Sequence, residues 1–227
     1  GRRLGLPVLL DTPTWRANLD WGARLAYDAI RLAAVNRRAV EFVRELATGS
    51  PEGPVDHVLN GVVGPRGDGY VVGETMSAAE SAAYHGLQAR AFAEAGADMV
   101  TAVTMTYVDE AIGVARAVRS VGLPVVISFT VETDGALPSG DPLSDAIARV
   151  DDATEGGPAY YMVNCAHPSH FAEQLTAGAP WLARVKGIRA NASRASHAEL
   201  DEATELDRGD VIELASWYTE LHSILPD

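Results

Sequence analysis

Cysteine is nearly absent from this chain. Its 227 residues hold one, Cys165, so no internal disulfide can form and a reducing compartment, the cytoplasm, is the expected location. Basic residues are scarce too. Lys and Arg total 18 against 31 Asp and Glu, a net charge of -13 at pH 7, which argues against nucleic acid and anionic membrane surfaces as partners. No apolar run is long enough to span a bilayer, and Gly1-Arg2-Arg3 opens without the apolar stretch of a signal peptide. Phosphate-binding fingerprints are also missing. The glycine-rich loop Gly64 to Gly73 has no Gly-Lys-Ser/Thr and fits neither P-loop nor dinucleotide spacing. It reads instead as a mobile strand-to-helix loop, a lid carrying Tyr70.

What is present is a hydrophobic content of 47%, enough for a substantial core. Short apolar runs alternate with helical patterns along the whole chain. Strands are expected over 6–10, 58–63, 99–104, 124–129, 159–163 and 184–188. Between them, one long amphipathic helix is expected from Gly22 to Leu46, and another opens on the capping box Ser77-Ala78-Ala79-Glu80. Further helices are expected over 108–121, from Asp141-Pro142 to about Ala153, from Pro168, and over 211–225. The alternation predicts an α/β fold with a parallel sheet and right-handed crossovers.

A doubly wound sheet and a (β/α)8 TIM-type barrel both fit that pattern. The barrel is favoured because nearly every strand ends in a polar tip: Asp11-Thr12, Asn60-Gly61, Thr104, Ser128 to Thr130, Asn164-Cys165 and Arg189 to Asn191. Sites assembled from many strand ends are characteristic of barrels. Six units do not close a ring of eight, so the expectation is one domain over 1–227 that lacks a first and a last strand.

Cys165 closes the apolar run Ala159 to Val163 as Asn164-Cys165-Ala166-His167-Pro168, a strand that delivers a thiol into a loop. A zinc site built from Cys165, His167 and His170 alone is disfavoured, because ligands this close in sequence rarely converge on one ion. His167 is more simply a loop hydrogen-bonder, and Cys165 one ligand of a site completed elsewhere. A Cys-His nucleophile pair lacks an evident orienting partner, since His57, His85, His197 and His222 fall in turns or helices. Glu132 and Asp134 are either an acid/base pair or a solvated turn. Glu110 is expected on a solvated helix face. Arg189 and Asn191 suit a carboxylate or a surface ion pair.

Together the tips resemble the homocysteine S-methyltransferase family. The matching stretches are Asp11-Thr12-Pro13-Thr14-Trp15-Arg16-Ala17-Asn18, Asn60-Gly61-Val62-Val63-Gly64-Pro65-Arg66-Gly67, Ala95-Gly96-Ala97-Asp98 and Ser128-Phe129-Thr130. Asp134-Gly135, Gly140-Asp141-Pro142-Leu143 and Val163-Asn164-Cys165-Ala166-His167-Pro168 complete the set, in order over most of the chain. The resemblance implies a zinc-dependent barrel with Cys165 as one metal ligand. The other two would be adjacent cysteines of a Gly-Gly-Cys-Cys strand following Asp227, and the family's first strand would precede Gly1.

The implied chemistry is methyl transfer from a sulfonium or ammonium donor to the thiol of homocysteine or a similar small thiol, as in methionine biosynthesis. Zinc would keep that thiol deprotonated although a free thiol has a pKa of about 8.5. The substrate-facing positions implied are Asp11, Thr12, Trp15, Asn60, Thr104, Glu132, Asn164, Arg189 and Asn191, with Trp15, Tyr70 and Tyr107 as aromatic faces for a cationic donor. Two departures stand out. Relatives commonly carry Glu-Thr at the third-strand tip where this chain has Val103-Thr104, and a tyrosine where it has Trp15. Glu132 is a candidate to replace the lost carboxylate. A catalytically silent small-molecule-binding barrel is the alternative.

Overall fold

The structure, a computed structural model, describes residues 4–49, 53, 55–175 and 178–225. Gly1 to Arg3 and Pro226-Asp227, which bear on the expectations about the two ends, lie outside the described residues. Six strands form one parallel sheet in sequence order: β1 (Val8–Asp11), β2 (His57–Val63), β3 (Met99–Met105), β4 (Val125–Phe129), β5 (Tyr160–Asn164) and β6 (Val185–Arg189). The inner strands β2 to β5 are mostly apolar and largely buried, as parallel strands covered on both faces are, while β1 and β6 at the edges are more exposed. Parallel neighbours need crossovers, and helices supply them.

The helices are α1 (Leu19–Arg24), α2 (Ala29–Thr48), α3 (Ala78–Glu94), α4 (Val108–Ser120), α5 (Leu143–Thr154), α6 (Pro168–Phe171), α7 (His197–Glu202) and α8 (Val211–Ile224). The α3 capping box is present in both directions between Ser77 and Glu80. Successive strand residues point to opposite faces. One face, with Val100, Ala102, Ile127, Phe129, Tyr161 and Val163, packs against the helices as the main core. The other face lines the concave side of the sheet and carries Asn60, Thr101, Ser128 and Asn164, all buried.

The sheet is curled into part of a barrel. Its first and last strands share no ladder, yet Arg189 Nη1 at the end of β6 lies 2.7 Å from Asp11 Oδ2 at the end of β1. A closed eight-stranded ring is not formed by the described residues. No helix among them is long and apolar enough to cross a membrane.

Three expectations are corrected. The long helix over 22–46 is two helices, because Asn18 and Asp28 each cap a separate helix and Ala26 between them is left-handed (φ 56°). Pro142, not Asp141, is the N-cap residue of α5, and no side chain caps it. Glu110 is not solvated but 1% exposed, for a reason given below.

Candidate functional site

The C-terminal ends of the strands surround a cavity of about 360 Å³ lined by Asp11, Thr12, Trp15, Val62, Tyr70, Val103, Thr104, Cys165 and Arg189. This is the end at which parallel α/β sheets and barrels place their sites. Six of the sequence-predicted positions, Asp11, Thr12, Trp15, Thr104, Cys165 and Arg189, therefore share one wall-to-wall space.

The loop after β1 is pinned to β2 by paired hydroxyls. Thr14 Oγ1 donates to the Val62 carbonyl (2.7 Å), Thr12 Oγ1 lies 2.6 Å from Thr14 Oγ1, and Val62 N donates to Thr12 Oγ1 (2.9 Å). This fixes the start of Trp15, whose indole Nε1 donates to the Val103 carbonyl (3.1 Å). Gly64 is needed where the second loop crosses it: a Cβ there would stand 2.5 Å from the Trp15 carbonyl oxygen and 2.6 Å from its ring.

Asn60 and Asn164 do not line the cavity. They support it from beneath. Asn60 Nδ2 donates to Asp11 Oδ1 (2.7 Å) and its Oδ1 accepts from Thr101 Oγ1 (3.0 Å), so a polar chain runs Arg189–Asp11–Asn60–Thr101 across four strands. Asn164 Oδ1 accepts from Thr104 N (3.0 Å) and Ser128 Oγ (2.5 Å), while Nδ2 donates to Thr104 Oγ1 (2.9 Å). Those bonds hold Thr104 in the left-handed region (φ 66°), an outlier for a β-branched residue costing on the order of 1–3 kcal/mol. The β3–β4 register shifts at this point, between Ala102 and Met105.

Cys165 is left-handed as well (φ 56°). Its N–H still donates to the Arg189 carbonyl (3.1 Å), but its own carbonyl has left the ladder. That carbonyl accepts from Asn191 Nδ2 (3.0 Å) and His197 Nε2 (2.7 Å). Glu132 Oε1 lies 3.2 Å from the other ring nitrogen of His197. Asn191 and Glu132 thus reach the cavity only through Cys165, and Asp11, not Glu132, is the carboxylate that lines it. Asp134 caps its own turn through Ala136 N.

Tyr70 closes the other side. Its ring lies 4.2 Å from that of His197, and it lines the cavity together with Cys165. Burial first, then the Cys165 sulfur, push the phenol far up, so it is a neutral donor at any physiological pH. The loop bearing it is tethered: Asp68 Oδ1 accepts from Tyr70 N and Val71 N (2.8 and 3.1 Å), and Glu110 Oε1 accepts from Arg66 N (2.7 Å) and His85 Nε2 (2.9 Å). Tyr107 belongs to this tether, with Met76 N donating to its hydroxyl (3.0 Å). Burial and the nearby Glu110 raise its phenol to about 12. Glu110 is buried because it anchors the glycine loop, and Tyr107 is not in the cavity.

Sequence reasoning notes Ser128 only as part of a polar strand tip and sets His197 aside as a turn or helix residue. Ser196-His197-Ala198-Glu199 forms a second capping box, a readable signal for a helix start at His197. Nothing in the sequence says that this helix faces Cys165.

The described residues alone do not fit a zinc ion. A catalytic zinc site takes three protein ligands, and no group of three His, Cys, Asp or Glu among the described residues has that arrangement. His167 turns away, with Nδ1 on Ser169 Oγ (2.8 Å), and the nitrogens of His197 are both engaged.

Fold and site together define a parallel α/β part-barrel with a small-molecule cavity at its strand tips. The chain belongs to the homocysteine S-methyltransferase family, whose model matches residues 8–219. By that membership it is an S-methyltransferase. Its fold is similar to that of the homocysteine methyltransferase MmuM from Escherichia coli. In the metallated form the TM-score is 0.63 at 20% identity, and in the oxidized form 0.62 at 19%, each covering 85% of this chain and 77% of the other. Comparison with curated protein sequences gives no match.

Proposed function

We propose that the cavity at the strand tips moves a methyl group from a sulfonium or quaternary ammonium donor to the thiol of homocysteine or a similar small thiol. One observation carries the reading. In a chain of this family, the cavity brings the sole thiol, two aromatic rings and an Asp–Arg pair together. The acceptor sulfur forms the new S–CH3 bond as the donor's bond to that methyl breaks, its electron pair staying on the donor, which leaves neutral. The thiol proton goes to solvent.

The chain's residues bind, orient and exclude water. Each aromatic ring is backed on one side, Trp15 by Arg16 at 4.5 Å and Tyr70 by His197 at 4.2 Å. Their cavity sides form a π-surface suited to an onium donor. Arg189 and Asp11 offer opposite charges at the cavity wall, and an α-amino acid acceptor can exchange with them, carboxylate on Arg189 and ammonium on Asp11. Thr12 and Thr104 fix the floor between them. Asn60, Asn164, Asn191 and Glu132 hold these groups in place.

Zinc enters this reading through Cys165 as one ligand. About one zinc per subunit is expected in the full-length protein, falling strongly in Cys165→Ala. The test of the function is a screen of the full-length protein for methylation of homocysteine by S-methylmethionine, S-adenosylmethionine and betaine. Transfer from one donor supports the reading. Tight binding of these ligands without transfer from any would establish the binding-barrel alternative instead.

A further inference from the structure

We propose that His197 is a positioning residue for Cys165: it ties the carbonyl of the strand-tip cysteine to Glu132 and backs the ring of Tyr70, so one side chain sets both the thiol and the lid aromatic. The inference rests on the reading of Cys165 as part of the reacting site, and deepens it.

The geometry is specific. A left-handed residue at the end of a parallel strand turns its carbonyl out of the ladder, and the Cys165 carbonyl would otherwise be poorly satisfied. Its two acceptor directions are taken by Asn191 Nδ2 (3.0 Å) and His197 Nε2 (2.7 Å). Non-glycine residues persist in this conformation when the surroundings over-determine it. His197 is itself held from two sides. It is the first residue of α7, placed by the Ser196–Glu199 capping box, and its Nδ1 faces Glu132 Oε1 at 3.2 Å. Glu132 in turn sits in a closed turn, with Glu132 N on the Ala136 carbonyl (2.8 Å) and Gly135 N on the Glu132 carbonyl (2.9 Å). The segment after β6 thus supplies both donors to one backbone oxygen, and the loop after β4 holds one of them through Glu132.

Neither His197 nor Glu132 lines the cavity. His197 is 8% exposed, and its ring is covered by Tyr70 at 4.2 Å, interplanar angle 36°. Tyr70 and Cys165 line the same cavity. His197 thus acts through Cys165 and Tyr70 and does not touch the reactants.

Thiol chemistry reads this directly. The full-length protein, dialysed against a chelator, is alkylated with iodoacetamide, and the Cys165 peptide is quantified by mass spectrometry. Loss of one such hydrogen bond and of the Tyr70 backing predicts about tenfold faster labelling in His197→Ala. His197→Gln keeps an N–H for the Cys165 carbonyl, and should return the rate to within about threefold of wild type. Val150→Ala, a core truncation in α5 away from the cavity, controls for lost stability and should label at the wild-type rate. In methyl transfer, His197→Ala should lower kcat about tenfold with little change in KM for the donor. Unchanged labelling in His197→Ala, no recovery in His197→Gln, or equal acceleration in Val150→Ala overturns the proposal. If the wild type transfers no methyl group, the functional reading fails while the labelling arms still decide the role of His197.

Discussion

Thr104 and Cys165 are the two left-handed strand tips that face the cavity, and they are held in different ways. Thr104 is fixed from within the barrel by Asn164 and Ser128, both essentially inaccessible to water. Cys165 is fixed from outside, by Asn191 and His197 on the loop and short helix that follow β6. The first tip belongs to the scaffold. The second is set by peripheral segments whose arrangement can change without unfolding the sheet. In a methyltransferase site, which must bind two substrates and release two products, the tip held by the buried scaffold forms part of the floor and the tip held by the peripheral segments carries the thiol.

The comparison breaks first at Asn164. Asn164→Leu removes all three bonds and leaves the Thr104 amide and the Ser128 hydroxyl buried without partners. Urea unfolding should show a loss of about 3–5 kcal/mol, and the cavity geometry should go with it. His197→Ala at the other tip should cost only about 1 kcal/mol, so the two variants separate scaffold from positioning by stability alone. Equal losses would erase the distinction.

The smallest effect concerns pH. Burial, then the charges of Arg194 and His170, hold the His167 imidazole below its usual range. The unfolded chain therefore takes up this proton at a higher pH than the folded one. The contribution of neutral His167 is complete above the unfolded value of about 6.5 and is lost as pH falls through the depressed folded value. Stability measured from pH 8 down to pH 5 should decline, and His167→Asn should flatten that part of the decline. An identical slope in the variant would remove His167 from the account.

Much of the frame was legible because it is local. Alternating Val-rich runs placed six strands within a few residues, and Ser77 with Glu80 announced the start of α3. The polar tips were legible because nothing in a buried strand calls for Asp, Asn or Thr at its end unless something there uses them. What escaped was non-local. Glu110 looks like any acidic residue on a helix until its carboxylate is seen on the Arg66 amide and His85. The break at Ala26 needed recognition that Asn18 and Asp28 cap separate helices. His197 lies 32 positions from the carbonyl it serves, and no spacing rule reaches that far. Asn164 does end its strand, but Asn60, expected at a tip, lies in the middle of β2, and both side chains bond neighbouring strands instead of lining the cavity, which the sequence pattern alone does not resolve.

The central claim is that the left-handed thiol of Cys165 sits in the reacting site. The most direct measurement is the rate of homocysteine methylation by the full-length protein and its Cys165→Ala variant, with the donor that the wild type uses best. The account predicts a loss of at least about 100-fold in kcat/KM, with the thermal unfolding midpoint nearly unchanged. A Cys165→Ala protein that transfers methyl groups at the wild-type rate would contradict it.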